Sequence, residues 1–147
     1  MDWILKPYAE LTTDELYQIL KLRVDVFVVE QTCPYPEIDG KDPACWHLFK
    51  RIDGQIAAYA RLLPPGLSYP EASIGRVIVH EDFRGQGLGE QLMGLAIEHS
   101  GNLWPGHFIQ IGAQAHLQPF YGLNGFEPVS EIYLEDDIPH VDMLLKK

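Results

Sequence analysis

Three glycines stand together where a β-rich run gives way to helical spacing, in the stretch VIVHEDFRGQGLGEQLMGLAIEHS at residues 77–100. Glycine lets successive backbone N–H groups converge on one point. A helix that starts at the same place adds its own unused amides and the positive end of its dipole. Such a turn suits an anion, and most simply a phosphate. The stretch therefore predicts a phosphate-binding loop between a strand and a helix.

Two common phosphate-binding motifs do not fit this loop. A mononucleotide loop needs Gly-Lys followed by Ser or Thr, and GQGLGE contains no lysine. A dinucleotide fingerprint needs a third glycine where Glu90 stands. It also needs an acidic residue at the end of the next strand to bind a ribose hydroxyl. The next predicted strand ends in Ala113 and Gln114, and neither is acidic. Both nucleotide motifs are therefore excluded.

Hydrophobic periodicity predicts the elements on both sides of the loop. The run ASIGRVIVH predicts a strand before it, LGEQLMGLAIEHS a helix after it, and HFIQIGAQA a further strand. This order makes a βαβ unit, so the two strands are expected to run parallel with a right-handed crossover. Upstream, Asp53-Gly54 stands between WHLFKRI and QIAAYARLL and predicts an antiparallel hairpin. The apolar face of the helix is expected to carry Leu88, Leu92, Leu95 and Ala96.

The N-terminal part begins with WILKPY, which predicts a first strand. Thr12 with Glu15 makes a capping-box pattern for a helix that runs to about Arg23 or beyond. The next segment, VDVFVVEQTCPYPEIDGKDPAC, begins with an apolar stretch whose structure the pattern leaves open. Its later part is rich in turn residues and predicts a long surface loop. The helix is expected to line one face with Leu16, Ile19, Leu20 and Val24.

The C-terminal part predicts a short helix in LQPFYGLNGF, closed by Gly125, and two strands, EPVSEIYLE and HVDMLLK, around the turn DDIP. No repeat, low-complexity tract or linker interrupts the 147 residues, so one domain over residues 1–147 is expected. The predicted fold class is α/β (α+β), with a mixed, mostly antiparallel sheet of about six or seven strands flanked by helices.

Composition narrows the classes of function. The formal net charge is −10 and the pI is near 4.9, so the field of the protein repels nucleic acid and anionic membrane surfaces. Cationic small molecules and basic chain ends are the favoured partners. The first residues, MDWILKPYAE, lack the basic start and the apolar core of a signal peptide, which predicts a cytoplasmic location.

The two cysteines, Cys33 and Cys45, predict free thiols rather than a metal site. Cys45 and His47, with Cys33 upstream, could supply part of a zinc site. No fourth ligand stands at a fitting spacing, and structural zinc sites use four. No metal is therefore expected.

The loop RGQGLG resembles the pyrophosphate loop of the GNAT superfamily of N-acetyltransferases, whose pattern is Gln or Arg, two residues, Gly, one residue, and Gly or Ala. Arg84, Gly87 and Gly89 occupy the fixed positions. FYGLNGF is similar to the closing helix motif of that superfamily. LKLRVDVFVVEQTCPYPEIDGKD, RVIVHEDFRGQGLG and IPHVDM resemble its ElaA-like branch. The resemblance covers almost the whole chain and implies a GNAT-like acyl-CoA N-acyltransferase fold.

The resemblance also implies direct transfer of an acetyl group from acetyl-CoA to an amine. Backbone amides of residues 84–89 would hold the pyrophosphate, and a strand amide near Val77 would polarise the thioester carbonyl. Tyr121 would be the general acid for the departing thiolate. Many members carry Asn just after the strand that here ends in GAQAH, where Gln114 or His116 stands. The residues expected to bind the coenzyme are Val77, Ile78, Val79, Arg84, Gly85, Gln86, Gly87, Leu88, Gly89 and Gln114.

The acceptor implied by the resemblance is a small-molecule primary amine or the exposed amino group of a peptide or protein. Two acidic walls would attract its ammonium group, and Glu30, Glu37 and Asp39 are the predicted binding residues. The general base stays open among His47, His80, His116 and the acids of the 30–42 loop. The two walls consist of Glu30, Glu37, Asp39 and Asp42 on one side and of Glu131, Glu135, Asp136 and Asp137 on the other.

Two other classes of function compete with acyl transfer, because a fold does not fix a function. The chain could bind CoA or acyl-CoA as a regulatory or interaction module without turnover, or it could be an ATP-binding regulator. The sequence leaves the exact acyl group and a homodimer open.

Overall fold

The computed structural model describes residues 3–33 and 36–146, and this part of the chain forms three α-helices and eight strands. The helices are α1 (Thr13–Arg23), α2 (Leu88–Leu103) and α3 (Gln118–Leu123). The strands are β1 (Trp3–Pro7), β2 (Trp46–Ile52), β3 (Gln55–Leu63), β4 (Ser73–Val79), β5 (Ile109–Gln114), β6 (Glu127–Pro128), β7 (Tyr133–Glu135) and β8 (Ile138–Leu145).

The first four strands make an antiparallel sheet in the order β1-β2-β3-β4. The predicted hairpin is β2 and β3, joined by Asp53 and Gly54 with φ of 53° and 78°. Positive φ at both central residues is the geometry of a type I′ turn, which asks for Asp-Gly or Asn-Gly. The dipeptide therefore set the register of this hairpin, as predicted.

The remaining strands make a second antiparallel sheet, in which β8 pairs with β5, β6 and β7. The predicted turn between the closing strands falls at Asp136 and Asp137, whose φ values are 51° and 62°. The long strand β8 thus holds three partners together.

The two sheets meet where β4 and β5 begin side by side. Ala72 and Ile109 form a parallel bridge, in which Ala72 N donates to Phe108 O at 3.1 Å and Gln110 N donates to Ala72 O at 2.9 Å. Beyond this bridge no ladder joins the two strands in the described residues, and they diverge. The parallel βαβ unit was therefore predicted correctly, and the fold class is confirmed. The sheet, however, is split into two halves with eight strands in all.

Helix α1 starts as predicted, at a complete capping box. Thr12 Oγ1 accepts from Glu15 N at 3.0 Å, and Thr12 N donates to Glu15 Oε1 at 2.9 Å. The predicted buried face is only partly right, because of the expected residues only Ile19 is fully buried. The helix is turned so that Arg23 can enter the core with ion-pair partners. The residues buried on the helix and its continuation are Glu15, Ile19, Leu22, Arg23 and Val26.

The predicted surface loop after α1 begins later than expected, because the chain continues as a π-helix over Val24–Glu30. Its wider turn is seen where Gln31 N donates to Val26 O at 3.2 Å. Short π-helical segments in α-helices are frequently found at functional sites.

Helix α2 packs across both sheets and closes the core. Leu88, Leu92 and Ala96 are buried as predicted, whereas Leu95 is half-buried and Met93 takes its place. Side chains from both sheets join them in one buried cluster, which includes Leu48, Leu62, Ile109, Val141 and Met143. The divergence of β4 and β5 thus lies over a continuous core.

Candidate active site

A cavity of about 440 Å³ occupies the space between the diverging strands. One wall comes from the end of β3, from β4 and from the segment of residues 36–41, and the other comes from β5, β7 and β8. The π-helix and α3 close its two ends. Among the residues expected to do chemistry, the cavity brings together Val77, Gln114, Tyr121 and Asp39.

The glycine loop leads from the end of β4 into α2. Gly85 and Gly87 have φ of 84° and 78°, a region that favours glycine. Gly87 is the residue before the helix and no side chain caps it. The first turn of α2 therefore presents amides that the helix itself does not use. The strand, glycine turn and helix lie as predicted, and their binding of phosphate stays a prediction.

The third glycine of the loop allows close packing. A Cβ on Gly89 would lie 3.8 Å from Val79 Cγ2 and 3.9 Å from the Phe120 ring. The start of α2 is therefore pressed between the end of β4 and the helix that carries Tyr121. This contact fixes the loop relative to the cavity.

Strand β4 contains a bulge beside the cavity. Tyr59 pairs with Ile78 and Arg61 pairs with Gly75, so Arg76 and Val77 both face Ala60. Arg76 has a φ of 52°, the left-handed conformation that the first residue of one bulge type requires. A bulge removes one residue from the strand ladder. The predicted role of an amide near Val77 thus coincides with a local break in that ladder.

The side chain of Arg76 is held by Glu37. Arg76 Nε donates to Glu37 Oε2 at 2.7 Å, and Arg23 Nε donates to the same oxygen at 2.8 Å. The Arg23 side chain is 0% exposed and Glu37 is buried. Burial of a charge requires such pairing. Glu37 therefore links α1 to the bulge of β4.

Two further acids extend this network. Asp42 Oδ1 accepts hydrogen bonds from Arg23 at 2.6 Å and from Arg61 at 3.1 Å. The Asp39 carboxylate accepts a hydrogen bond from each terminal nitrogen of Arg61, at 2.9 and 2.8 Å. The 36–42 segment was predicted as part of a surface loop whose acids attract the amine. Instead, its carboxylates bind three arginines from α1, β3 and β4, so Glu37 and Asp42 are buried. An arginine inside an apolar strand, as in YARLL, is the signal that such partners exist.

This network lowers the pKa values of two carboxyls. Burial alone would raise the pKa of Asp39, but hydrogen bonds from Arg61 and from the Lys41 amide hold that pKa well below its usual range. Burial acts in the same direction on Asp42, and the hydrogen bond and charge of Arg23 again outweigh it and lower the pKa. Both groups therefore stay ionised at mildly acidic pH.

The lowered pKa values predict a loss of stability in acid. A carboxyl whose pKa is lower in the folded than in the unfolded chain stabilises the fold above the unfolded value of about 4, and this contribution is lost as the pH falls towards the folded value. The free energy of unfolding, measured in urea between pH 5 and pH 2.5, should fall more steeply in the wild type than in Asp39→Asn. Asp53→Asn, in the hairpin turn, is the control. Equal slopes in all three proteins would contradict the prediction.

Tyr121 lies on α3 in a cluster of aromatic rings. Its ring meets Phe120 at 5.2 Å and Phe126 at 6.1 Å between centroids, both edge to face. Burial raises the pKa of Tyr121 to about 12. The phenol therefore keeps its proton at neutral pH, which a general acid requires.

Gln114 is the last residue of β5, and its side chain bonds to the residue that follows the π-helix. Its Nε2 donates to Gln31 Oε1 at 3.2 Å, and both residues line the cavity. The contact between Gln114 and the coenzyme stays a prediction.

Arg84 and Glu30 form a bidentate ion pair at the surface. Arg84 donates to the two Glu30 carboxylate oxygens at 3.0 and 3.1 Å, and its Nε donates to Val79 O at 2.9 Å. Glu30, predicted to bind the amine, thus lies beside the loop predicted to bind phosphate. A phosphate at this loop would compete with Glu30 for the guanidinium.

Three of the candidate bases lie away from the cavity. His47 is 0% exposed, with Nδ1 2.7 Å from the Tyr59 hydroxyl and Nε2 3.2 Å from Asp42 O, and burial lowers its pKa. His80 and His116 are not among the residues that line the cavity. The histidine that does line it is His140, which the sequence reasoning missed. Its signal was its place in the alternation of β8, where His140 and Asp142 are polar and Val141 and Met143 are apolar core residues.

Cys33 and Cys45 are buried free thiols, as predicted, and they donate to the carbonyls of Asp136 and Lys41. Within residues 3–33 and 36–146, no group of three or more His, Cys, Asp or Glu side chains is arranged to hold a metal ion. The helices of the same residues include none that is long and apolar enough to cross a bilayer.

A bulged strand, a glycine turn into a helix and a parallel strand that diverges define the scaffold of an acyl-CoA acyltransferase. Residues 18–147 match the model of the acetyltransferase (GNAT) domain, and the chain belongs to this family. The protein ElaA of Escherichia coli strain K12 is 44% identical over 145 residues, which cover 97% of this chain and 95% of that protein. The predicted resemblance to the ElaA-like branch is therefore confirmed.

Solved structures agree with this assignment. The crystal structure of an acyl-CoA N-acyltransferase from Pseudomonas aeruginosa has 50% sequence identity and a TM-score of 0.94, with 99% of both chains covered. The crystal structure of Escherichia coli ElaA has 43% identity and a TM-score of 0.93, also with 99% of both chains covered.

Proposed function

We propose that this protein is an N-acetyltransferase that moves an acetyl group from acetyl-CoA to a primary amine by direct attack within a ternary complex. One observation carries the proposal. The cavity between β4 and β5 is lined by both Val77, at the bulge, and Tyr121, and the strand that contains the bulge leads into the glycine turn. The residues proposed to polarise the carbonyl and to donate the proton thus line one cavity.

The coenzyme is placed along β4 and the start of α2. The uncapped amides there suit the pyrophosphate, because they offer donors without a competing side chain. The main chain of β4 would hold the pantetheine, and the Gln114 side chain would contact the coenzyme from β5. The residues assigned to the coenzyme are Val77, Ile78, Val79, Arg84, Gly85, Gln86, Gly87, Leu88, Gly89 and Gln114.

The residues around the cavity have separate tasks in the reaction. The amide at Val77 stabilises negative charge on the thioester oxygen as the amine nitrogen bonds to the acyl carbon. Tyr121 gives its proton to the sulfur as the carbon–sulfur bond breaks. The products are an amide and free CoA thiol.

The acceptor is an amine of a small molecule or the exposed amino group of a peptide or protein. Glu135 and Asp136 line the cavity and attract its ammonium group. The predicted role of Glu30, Glu37 and Asp39 in binding the amine stays a prediction. Because each pairs with an arginine, we assign them a smaller share of the attraction.

The same acidic surface disfavours nucleic acid and anionic membranes as partners. We place the protein in the cytoplasm, where a reducing environment keeps two buried thiols free.

The proposal is tested by detecting free thiol when acetyl-CoA is mixed with a panel of amines, such as spermidine, tyramine and a peptide with a free amino terminus. Thiol release that requires both substrates is expected. A module that only binds the coenzyme would show a melting shift with acetyl-CoA and no thiol release. An ATP-binding regulator would show a shift with ATP instead, which a parallel titration detects.

A further inference from the structure

His140 lies on the wall of the cavity that faces β4. It pairs in register with Gln114 of β5 and with Tyr133 of β7. Directly opposed residues of antiparallel strands share one face of a sheet. Gln114 and His140 both line the cavity, whereas Ala113 and Val141, next to them in the chain, are buried in the core. The imidazole is therefore on the cavity side of the second sheet.

The hydrogen bonds of the ring decide which nitrogen can accept a proton. Nδ1 lies 2.7 Å from the carbonyl oxygen of Ile138, and a carbonyl only accepts. Nδ1 therefore carries the hydrogen, and in the neutral ring Nε2 has the free electron pair. This is the tautomer that a general base needs.

The surroundings hold the ring in place. It stacks on Tyr133 with centroids 6.1 Å apart and an interplanar angle of 24°. Tyr133 is itself fixed, because its hydroxyl donates to Asp142 Oδ1 at 2.6 Å. Nε2 lies 3.7 Å from Glu135 Oε2, so a carboxylate stands beside the nitrogen that would become charged. The side chain of His140 is 11% exposed, which suits a group reached through the cavity rather than from bulk solvent.

We propose that His140 is the general base of the acyl transfer and that Glu135 stabilises its protonated form. The assignment rests on the proposed function and deepens it by naming the group that takes the proton from the amine.

Protons balance in the following way. Nε2 of His140 takes one proton from the ammonium group, and the neutral nitrogen then bonds to the acyl carbon. The carbon–sulfur bond breaks, and Tyr121 gives its proton to the sulfur. The second proton that the nitrogen loses restores Tyr121. His140 releases the first proton to solvent, so each turnover yields an amide, a thiol and one proton.

The test compares His140→Gln with the wild type and with His107→Gln, which changes an exposed histidine outside the cavity. The acceptor is whichever amine of the spermidine, tyramine and peptide panel the wild type acetylates. In His140→Gln, kcat/KM for that amine should fall by roughly 10²-fold or more, and the acidic limb of its pH profile should disappear. The melting shift with acetyl-CoA should be retained. His107→Gln should behave as the wild type.

Other charged or titratable groups surround His140. They are Tyr133 and Glu135 on β7, Asp136 in the turn before β8, Asp142 on β8, and, elsewhere in the cavity lining, Asp39, Lys41, Arg61, Tyr69, Arg76 and Tyr121. A rescue experiment distinguishes His140 from these groups. Added imidazole should restore part of the rate of His140→Ala, because it can replace a missing base but not a missing packing contact. Wild-type rates and an intact acidic limb in His140→Gln would overturn the assignment. A loss of rate without rescue, together with a lost melting shift, would also overturn it, in favour of a structural role. No thiol release by the wild type would overturn the proposed function itself, and the base with it.

Discussion

Gly87→Val is expected to abolish the rise in melting temperature that acetyl-CoA causes. A ligand at 100 times its Kd stabilises the folded state by about 2.7 kcal/mol, which corresponds to a rise of roughly 5–10 °C for a domain of this size. Gly87 has a φ of 78° and immediately precedes α2, where the amides converge. A Cβ there meets nothing within 4 Å, so it projects into the open space proposed for the pyrophosphate. Differential scanning fluorimetry with and without acetyl-CoA measures the shift.

The substitution also strains the backbone, so a control must carry the same strain. Left-handed conformation costs an ordinary residue roughly 1–2 kcal/mol. Gly106 has a φ of 82° and equally open space, and it lies beyond the other end of α2. Gly106→Val should therefore lower the melting temperature of the free protein and keep the full acetyl-CoA shift. If Gly87→Val keeps that shift as well, the glycine turn is not the phosphate site.

Tyr121→Phe is expected to lower turnover by roughly 10²-fold or more while acetyl-CoA affinity changes little. The substitution keeps the ring and its edge-to-face contacts with Phe120 and Phe126. It removes the phenolic proton, whose pKa burial raises to about 12. Steady-state kinetics with both substrates varied separate kcat from the two KM values.

A tyrosine on an exposed face provides the comparison. Tyr17 is 68% exposed on α1, and Tyr17→Phe removes a hydroxyl without altering the cavity. Its kcat should equal that of the wild type. Equal kcat in Tyr121→Phe too would mean that Tyr121 serves only to pack α3 against the core.

The parts of the fold that could be predicted from the sequence are those specified by local chemistry. Asp53-Gly54 requires positive φ at two successive residues and so gives a hairpin. Thr12 and Glu15 satisfy each other's backbone amides within one turn of helix. The three glycines predicted the turn between the strand and the helix at the candidate site. In each case the residues that decide the structure are neighbours in the chain.

The parts that were missed depend on residues far apart in the chain. Glu37 is buried because Arg23 and Arg76 reach it from α1 and β4. The buried face of α1 differs from the predicted one because of the same contact. Arg23 occupies a buried position for which the periodicity predicts an apolar residue. Nothing within one segment indicates such pairs. Sequence periodicity therefore placed most of the elements correctly, missed the π-helix after α1, and misjudged which faces carry charge into the core.

The candidate site shows the same division. Val77, Tyr121 and Gln114 were selected from motifs, and the fold brings them to one cavity. His140 lies in IPHVDM, a motif that indicated the branch of the family but no role for the histidine. It reaches the cavity because β8 pairs with β5 in a register that places it opposite Gln114. The sequence pattern does not predict the pairing of two residues 26 positions apart. The identity of the general base therefore stayed open.

The divergence of β4 and β5 also bears on where the unpaired edges of the two sheets lie. Strand edges with open backbone groups are templates on which another chain can add a strand, and proteins protect them against aggregation. Here two such edges turn towards each other across a cavity of about 440 Å³, with a helical segment at either end. That space is of the size that small ligands occupy. The backbone groups that the divergence leaves outside a ladder thus border a ligand-sized cavity.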